Sequence, residues 1–296
     1  AKPPAPGQLH TAHQPAAGPW RRAWRKLQRK RLAMLGLVIV VFFVLLAIFA
    51  PWIAPQDPLA ASWSAIRKAP SAAHWFGTDE FGRDIFSRSL DGMRRSLTVS
   101  VSAVTIAATI GVILGILSGY LGRWFDQLIV RLSDVIFAFP AILLALAIVS
   151  TLGNSWYQTS LAIAVVYTPI FIRVARGPVL TVKEMDYVKV TRILGFSSLR
   201  ILRKHILPNV TAPIVVQIAL SLSWAILTES GLSFLGLGTQ PPNASLGLMV
   251  SEAQSIAAFA WWALFFPSAF ITIVVVGLNL VGDGLRDALD PARRSS

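Results

Sequence analysis

The chain has 296 residues, of which 54% are hydrophobic and only 14% are charged. Soluble domains carry about 25% charged residues, so this chain has little more than half the usual share. Its 27 lysines and arginines outnumber 14 acidic residues, and the net charge of +13 suggests a membrane surface or nucleic acid as partner. The low charged fraction argues against a soluble nucleic-acid-binding protein. The absence of cysteine excludes disulfides, cysteine-ligated metal centres and a cysteine nucleophile.

The N-terminal residues precede any long apolar run. Residues 1–20 lack apolar periodicity, which predicts a disordered cytoplasmic tail. Residues 21–31 form a basic juxtamembrane segment around Trp24. This composition predicts contact with anionic lipid headgroups, and nucleic-acid binding is the weaker alternative.

Six uncharged runs are long enough to cross a bilayer, which takes about 20 apolar residues per helix. The first transmembrane helix is predicted at 32–54 and is followed by an extracytoplasmic loop at 55–95. A five-helix core is predicted at 96–284, with its spans at about 96–122, 133–152, 160–174, 206–228 and 261–281. Internal prolines predict kinks in three of these helices, at Pro140, Pro169 and Pro267. Glycine and proline in the uncharged segment 231–251 predict a loop, and residues 285–296 predict a cytoplasmic tail.

The basic residues predict the orientation. If the N-terminus is cytoplasmic, 21 of the 27 lysines and arginines fall in inside segments, and the two short outside loops contain none. Cytoplasmic loops carry an excess of lysine and arginine, so both termini are predicted to be cytoplasmic.

The predicted extracytoplasmic loop contains a cluster of glycine and charged residues. Asp79, Glu80 and Asp84 lack the ligand spacing of a calcium loop, so no metal site is predicted. Tight turns and local pairing of aspartate with arginine are predicted instead. The residues of this extracytoplasmic motif are Gly77, Thr78, Asp79, Gly82, Arg83 and Asp84.

The predicted spans contain almost no ionisable side chain. Asp134 is predicted to be interfacial, and Glu229 near the outer end of the fifth span has two interpretations: an interfacial hydrogen bond, which we favour, or a pathway acid. The sequence lacks HExxH, GxSxG and P-loop motifs, so it predicts neither an enzyme nor a chain that binds ATP itself. A stand-alone secondary carrier, which would bury ionisable groups, is the alternative from a different class.

The longest predicted inside loop, residues 179–208, is expected to form two short helices joined at a glycine. Asp186 is predicted to cap the first helix, at about 187–194, and Gly195 suits a left-handed turn. Ser197 is predicted to cap the second helix, which should end before Pro208. This pair could lie on the inner membrane surface, or it could dock a cytoplasmic partner.

The segment resembles the cytoplasmic "EAA" loop of permeases in ATP-binding-cassette (ABC) importers. Gly195 and Ile206-Leu207-Pro208 match the family pattern, whereas Lys189-Val190-Thr191 replaces Glu-Ala-Ala. Further motifs extend the resemblance over nearly the whole chain beyond residue 25, and they resemble the C-type subunit of the dipeptide/oligopeptide/nickel family. These motifs include residues 74–88, 186–188, 232–238 and 280–291.

The resemblance implies an all-α membrane protein with six transmembrane helices, the type I ABC importer permease fold, in a prokaryotic cell membrane. It implies a B-type permease partner, one or two ATPase subunits that bind ATP and magnesium, and an extracytoplasmic substrate-binding protein. Short peptides are the favoured substrate, with nickel chelates, glutathione or haem-like ligands as alternatives. The residues implied in ATPase coupling are Asp186, Tyr187, Val188, Lys189, Val190, Thr191, Arg192, Gly195, Ile206, Leu207 and Pro208.

Overall fold

The structure, a computed structural model, describes residues 19–289. Most of the predicted N-terminal tail, residues 1–18, lies outside the described residues, as do residues 290–296 of the predicted C-terminal tail. The described part is built from helices, with one isolated β-bridge between Thr78 and Asp84. The helices are α1 (Pro19–Gln28), α2 (Arg31–Ile53), α3 (Ile85–Leu121), α4 (Arg123–Phe137), α5 (Ala141–Leu152), α6 (Trp156–Val182), α7 (Asp186–Ile193), α8 (Ser198–Ile201), α9 (Leu207–Phe234), α10 (Leu246–Ala253) and α11 (Trp261–Leu289).

Five described helical stretches are long and apolar enough to cross a membrane. They are α2, α3, α6, the continuous stretch Ser198–Phe234 and α11. The pair α4 and α5 passes the same test together and forms a sixth span if both helices cross as one unit. The helix α2 begins and ends within a residue of the predicted first span, because this run is uniformly apolar and flanked by a basic segment.

The predicted kink at Pro140 is confirmed and is a full break, whereas the predicted single helix at 133–152 is wrong. The structure has two helices there, bent by 91° across a break that contains Pro140. Proline lacks an N–H group and disfavours helical geometry at the residue before it, so α4 ends at Phe137 and α5 begins after Pro140. Pro169 and Pro267 lie inside α6 and α11, and the kinks predicted there remain predictions.

The predicted loop at 55–95 is too long, because α3 already begins at Ile85. Asp84 caps the helix by accepting a hydrogen bond from the Ser87 N–H at 2.8 Å. With 37 residues at 1.5 Å each, α3 is about 55 Å long, whereas a bilayer core is about 30 Å thick. The helix therefore projects beyond the membrane. The predicted loop at 231–251 is also partly wrong, because α10 begins at Leu246 and is capped by Ser245.

Small residues bring α3 and α6 into close contact. Gly111, Gly115 and Gly119 recur every four residues on α3 and face α6. A Cβ atom at Gly115 would lie 2.5 Å from the carbonyl oxygen of Ile172, so no larger side chain fits there. Spacing of small residues by four is typical of membrane helices whose backbones pack closely.

Two apolar clusters hold the bundle together. One lies between α3, α5, α6 and α9, and the other between α2, α3, α9 and α11. The basic helix α1 docks on α11 through the buried Leu27, and an ion pair between Lys30, just before α2, and Asp287 lies beside this contact. The bundle has two ends: the α7 end, where α3 and α6 terminate, and the α10 end, where α3 begins.

Candidate functional site

The helix α7 is a short element held on one face only. Val188 is 1% exposed and lies in an apolar cluster with residues of α6, α8 and α9, including Val179 and Ile206. On its other side, Tyr187, Val190 and Ile193 are 45%, 51% and 84% exposed. An eight-residue helix is too short to be stable alone, so this packing is what holds α7 against the bundle. We call Tyr187, Val190, Ile193 and the neighbouring Leu194 the α7 ridge.

The start of α7 differs from the prediction. Met185, not Asp186, occupies the capping position, and no side chain caps the helix. Asp186 is the first helical residue, where its carboxylate lies near the partial positive charge of the helix N-terminus.

The end of α7 is as predicted. Gly195 has a φ of +78°, in the left-handed region. The Gly195 N–H donates to the Arg192 carbonyl at 3.1 Å, and the Phe196 N–H donates to the Thr191 carbonyl at 3.2 Å. This pair of bonds is the Schellman arrangement, for which glycine is the favoured residue.

The charged residues of α7 lie beside its ridge. Lys189 pairs with Glu184 at 3.2 Å, and both side chains are more than half exposed. The Arg192 guanidinium lies over the Tyr120 ring, 5.5 Å from its centroid, which connects α7 to the end of α3. At the position where the family pattern has the glutamate of Glu-Ala-Ala, this chain therefore has the exposed cation of Lys189. Its only ion-pair partner among the described residues, Glu184, lies in the same segment.

The second predicted helix does not end before Pro208. The helix α8 passes through a π-helical turn at Leu202–Ile206 directly into α9. The Leu207 N–H bonds to the Leu202 carbonyl five residues back, and this wider turn lets Pro208 follow without breaking the helix. Ile206 is fully buried in the cluster that holds Val188, whereas Leu207 is 43% exposed. Val188 of α7 and the start of α9 therefore pack in one apolar cluster.

The six residues of the predicted extracytoplasmic motif fold into one compact unit around the start of α3. Gly77 and Gly82 have positive φ values of 75° and 73°, and Thr78 bonds the Ala65 carbonyl. Asp79 pairs with Arg83 at 2.6 Å, so the predicted local pairing of aspartate with arginine is confirmed. Asp84, which caps α3, also contacts His74 at 3.0 Å.

Arg88 and Glu252 complete this unit through a contact that no spacing in the sequence indicates. Arg88 is 1% exposed and bonds Glu252 of α10 at 3.1 Å, and Arg83 reaches the same carboxylate at 3.2 Å. Burial raises the pKa of Glu252, and the two guanidinium groups oppose that rise. In the described residues no group of three or more acidic or histidine side chains could hold a metal ion.

Glu229 does not lie at an interface. Its side chain is 1% exposed inside the bundle, where Ser233 donates a hydrogen bond to Oε1 at 2.8 Å and Ser96 of α3 faces the carboxyl group. Other residues of the same helix are open, notably Trp224 at 60% exposure. In this conformation the carboxyl group is closed off from both ends of the bundle.

An open apolar recess lies on a different side of α9, next to the break between α4 and α5. It has a volume of about 340 Å³ and is lined by aromatic rings and a few polar groups. Tyr167 in its wall bonds Thr228 of α9 at 3.0 Å. The lining includes Phe137, Phe139, Tyr167, Gln217, Ser221 and Trp224.

Comparison with known proteins identifies the family. A family model described as the inner membrane component of binding-protein-dependent transport systems matches residues 111–295. The chain belongs to this family. A second model, the N-terminal transmembrane domain of oligopeptide transport permease C, matches residues 18–70 of the permease.

Relatives are similar over almost their whole length. The dipeptide transport system permease protein DppC of Alkalihalophilus pseudofirmus is 45% identical over 292 residues, covering 99% of this permease and 95% of the relative. The glutathione transport system permease protein GsiD of Escherichia coli is 44% identical over 274 residues, covering 92% and 90%.

The fold has a counterpart among solved structures. A chain of the methionine ABC transporter MetNI, in an inward-facing conformation, matches 70% of the permease and 98% of its own length, with a TM-score of 0.57 at 16% identity. This likeness confirms the predicted type I importer fold. The family confirms that the permease is a membrane transport subunit of the bacterial inner membrane and not an enzyme.

Sequence analysis did not predict the contacts between segments of the permease that are distant along the chain. Besides the bond from Arg88 to Glu252, Arg176 of α6 donates to both carboxylate oxygens of Asp126 in α4, at 2.6 and 2.7 Å. The partners in these pairs are 50 or more residues apart, so no spacing pattern could have indicated them. The one available signal was the presence of charged residues at the ends of otherwise apolar helices.

Proposed function

We propose that the permease forms half of the translocation pathway of an ATP-driven importer for short peptides and that α7 couples it to a cytoplasmic ATPase. The observation that carries the proposal is the α7 ridge, an exposed apolar surface on a helix anchored at its opposite face by Val188. Exposed apolar patches of this kind are typical of protein interaction sites. Both termini and α7 are cytoplasmic in this proposal, in keeping with the excess of basic residues in those segments.

The proposed partner of the α7 ridge is an ABC ATPase subunit that binds ATP and magnesium. ATP-driven closure of two ATPases would displace α7, and the cluster that joins Val188 to Ile206 would pass the displacement to α6 and α9. Close packing supports this transmission, because apolar interiors are dense and deform little. The rival interpretation, an amphipathic pair on the inner membrane surface, would not require coupling of α7 to ATP hydrolysis.

The second half of the pathway comes from a paralogous B-type permease in this proposal. The helix α5 is largely exposed, and the aromatic recess beside it opens on the same side as Trp224. An exposed apolar face of this extent fits a subunit contact or a pathway lining. The outer loops at 55–84 and 231–258 would face the substrate-binding protein.

Short peptides are the proposed substrate class because relatives at 45% and 44% identity are named for dipeptide and glutathione transport. Glutathione is the second candidate, on the strength of the second relative. It is itself a tripeptide, so both candidates share a compact peptide with at least one free carboxylate. Neither of these relatives is named for nickel chelates or haem-like ligands.

Reconstitution tests the proposal directly. The permease, its partner permease, the ATPase subunits and the binding protein would be placed in proteoliposomes, and uptake of alanyl-alanine and of glutathione would be measured with and without ATP. ATP-dependent uptake that also requires the binding protein is expected. Uptake driven by a proton gradient without the ATPase would instead support a secondary carrier.

A further inference from the structure

A large polar cavity opens at the α10 end of the bundle, away from the aromatic recess. Its volume is about 710 Å³, within the range of about 300–1,000 Å³ that small-molecule sites occupy. It lies between the outer part of α3, the turn from α5 to α6 and the loop that follows α9. Its lining residues are Asp91, Arg94, Arg95, Thr98, Gly153, Asn154, Ser155, Trp156, Gln158, Thr239, Gln240 and Asn243.

The cavity has an excess of positive charge. Arg95 is engaged, because its Nε donates to Asp91 at 2.8 Å. Arg94 is exposed and has no ion pair within the described residues. The cavity wall therefore contains two guanidinium groups and one carboxylate, which leaves one cation uncompensated.

The backbone at the start of α6 adds to the positive electrostatic potential of the cavity. The helix α6 begins in the cavity wall at Trp156, with Ser155 at its capping position. The N-terminus of a helix of 27 residues carries a partial positive charge, which persists here although the Ser155 N–H already bonds the Gln158 side chain at 3.0 Å. Together with Arg94, this arrangement favours an anionic group in the cavity, and it disfavours a metal cation.

We infer that this cavity receives the free carboxylate of the peptide as it passes from the binding protein to the membrane pathway, with Arg94 as the residue that contacts it. The inference rests on the proposed function, since it requires a peptide substrate. Arginine binds carboxylates through two parallel N–H donors, which provides orientation as well as attraction. The amides and hydroxyls of the lining, such as Asn154 and Gln240, can bond the peptide backbone without selecting a side chain.

The site also explains how one permease could accept peptides of different sequence. The carboxylate and the backbone are common to all short peptides, whereas side chains differ. A cavity whose lining residues are mostly polar binds the shared part and tolerates variation in the rest. Specificity then belongs to the binding protein.

The test compares variants in the complete reconstituted importer with saturating binding protein. Arg94→Gln removes the charge, Arg94→Lys retains it, and Arg131→Gln removes an exposed charge from α4 outside the cavity. The maximal rate of alanyl-alanine uptake should fall about tenfold in Arg94→Gln, as expected for loss of one charged hydrogen bond. It should stay within about threefold in Arg94→Lys and be unchanged in Arg131→Gln. For alanyl-alanine amide, which lacks the carboxylate, wild type and Arg94→Gln should transport equally.

Three results would overturn the inference. The first is an unchanged maximal rate for alanyl-alanine in Arg94→Gln. The second is an equal loss for the dipeptide and its amide. The third is an Arg94→Gln variant whose maximal rate is unchanged but which needs a higher concentration of binding protein for half-maximal uptake. Arg94 would then contact an acidic surface of the binding protein and not the peptide. In each case wild-type peptide uptake persists and the proposed function stands, whereas a wild-type importer without peptide uptake would reject both.

Discussion

Arg88 and Glu252 are separated by 164 residues in the chain, yet their side chains meet at 3.1 Å. Arg88 lies in the first turn of α3 and is almost fully buried, and Glu252 lies near the end of α10. Arg83 bonds the same carboxylate oxygen at 3.2 Å. This contact closes the outer loop over the start of α3 and fixes α10 beside it.

The first prediction concerns this contact. Glu252→Gln would leave two largely buried guanidinium groups with Asp79 as their main acidic partner. Because the loss of a charged hydrogen bond in a buried site costs about 1.5–3 kcal/mol, the midpoint of thermal unfolding should fall by several degrees in detergent. The matched control is Asp134→Asn, which breaks an ion pair with Arg173 whose side chains are both more than half exposed. That change should cost less than about 1 kcal/mol, and equal effects of the two variants would contradict the account.

The second prediction concerns Gly195. Proline cannot adopt its φ of +78° and lacks the N–H that bonds Arg192. Gly195→Pro should therefore displace α7 and lower ATP-dependent uptake at least tenfold, while membrane insertion and ATP hydrolysis persist. Gly195→Asn should retain most uptake, because asparagine tolerates left-handed geometry.

The control for Gly195 is Gly177→Ala. Gly177 lies inside α6 with no neighbouring atom within 4 Å of an added Cβ, so alanine should be accepted there. If Gly195→Pro and Gly177→Ala leave uptake equally intact, α7 is not the coupling helix.

The third prediction concerns the exposed charges of α7. Lys189→Glu combined with Arg192→Glu should abolish most uptake, because it reverses the charge that the ATPase groove must complement. The fold should be little affected, since the exposed ion pair of Lys189 with Glu184 and the contact of Arg192 with the Tyr120 ring are each worth less than about 1 kcal/mol. Glu184→Gln breaks the same ion pair without reversing either cation and should leave uptake within about twofold. Full uptake by the double variant would reject the docking assignment.

The fourth prediction concerns Glu229. Its carboxyl group is closed off in the bundle and bonded by Ser233, so we expect a structural role. Glu229→Gln keeps the shape and the hydrogen bond and should leave the KM and the maximal rate of uptake unchanged. Glu229→Leu should lower the unfolding midpoint, because it leaves the buried Ser233 hydroxyl without its hydrogen-bond acceptor. A changed KM in Glu229→Gln would restore the alternative of a pathway acid.

The sequence was sufficient for features that depend on local composition. The span α2 is apolar throughout, so the run of uncharged residues and the helix nearly coincide. Gly195 was predictable because only a residue tolerant of positive φ suits the end of a short helix. The family was predictable from motifs in residues 179–208 and in the outer residues 74–88.

The sequence was insufficient where structure depends on shape or on distant partners. Hydropathy records apolar length but not direction, so it merged α4 and α5 across the break at Pro140. The charged residues Arg88, Asp91 and Arg95 set the predicted start of the second span at residue 96. The helix α3 nevertheless begins at Ile85 and includes these residues in the part that projects beyond the bilayer. The partner of Arg88 carries no local signature at all. Such contacts arise from tertiary packing and are visible only in the folded chain.

In the proposed importer the α7 ridge transmits ATPase movement to the pathway, and Ile193 is its most exposed member at 84%. Uptake and ATP hydrolysis can be measured together in the reconstituted importer carrying Ile193→Asp, with Ile193→Leu as the apolar control. We expect Ile193→Asp to lose at least nine-tenths of uptake per ATP hydrolysed and Ile193→Leu to remain near wild type. Wild-type uptake per ATP in Ile193→Asp would show that the α7 ridge does not transmit this movement.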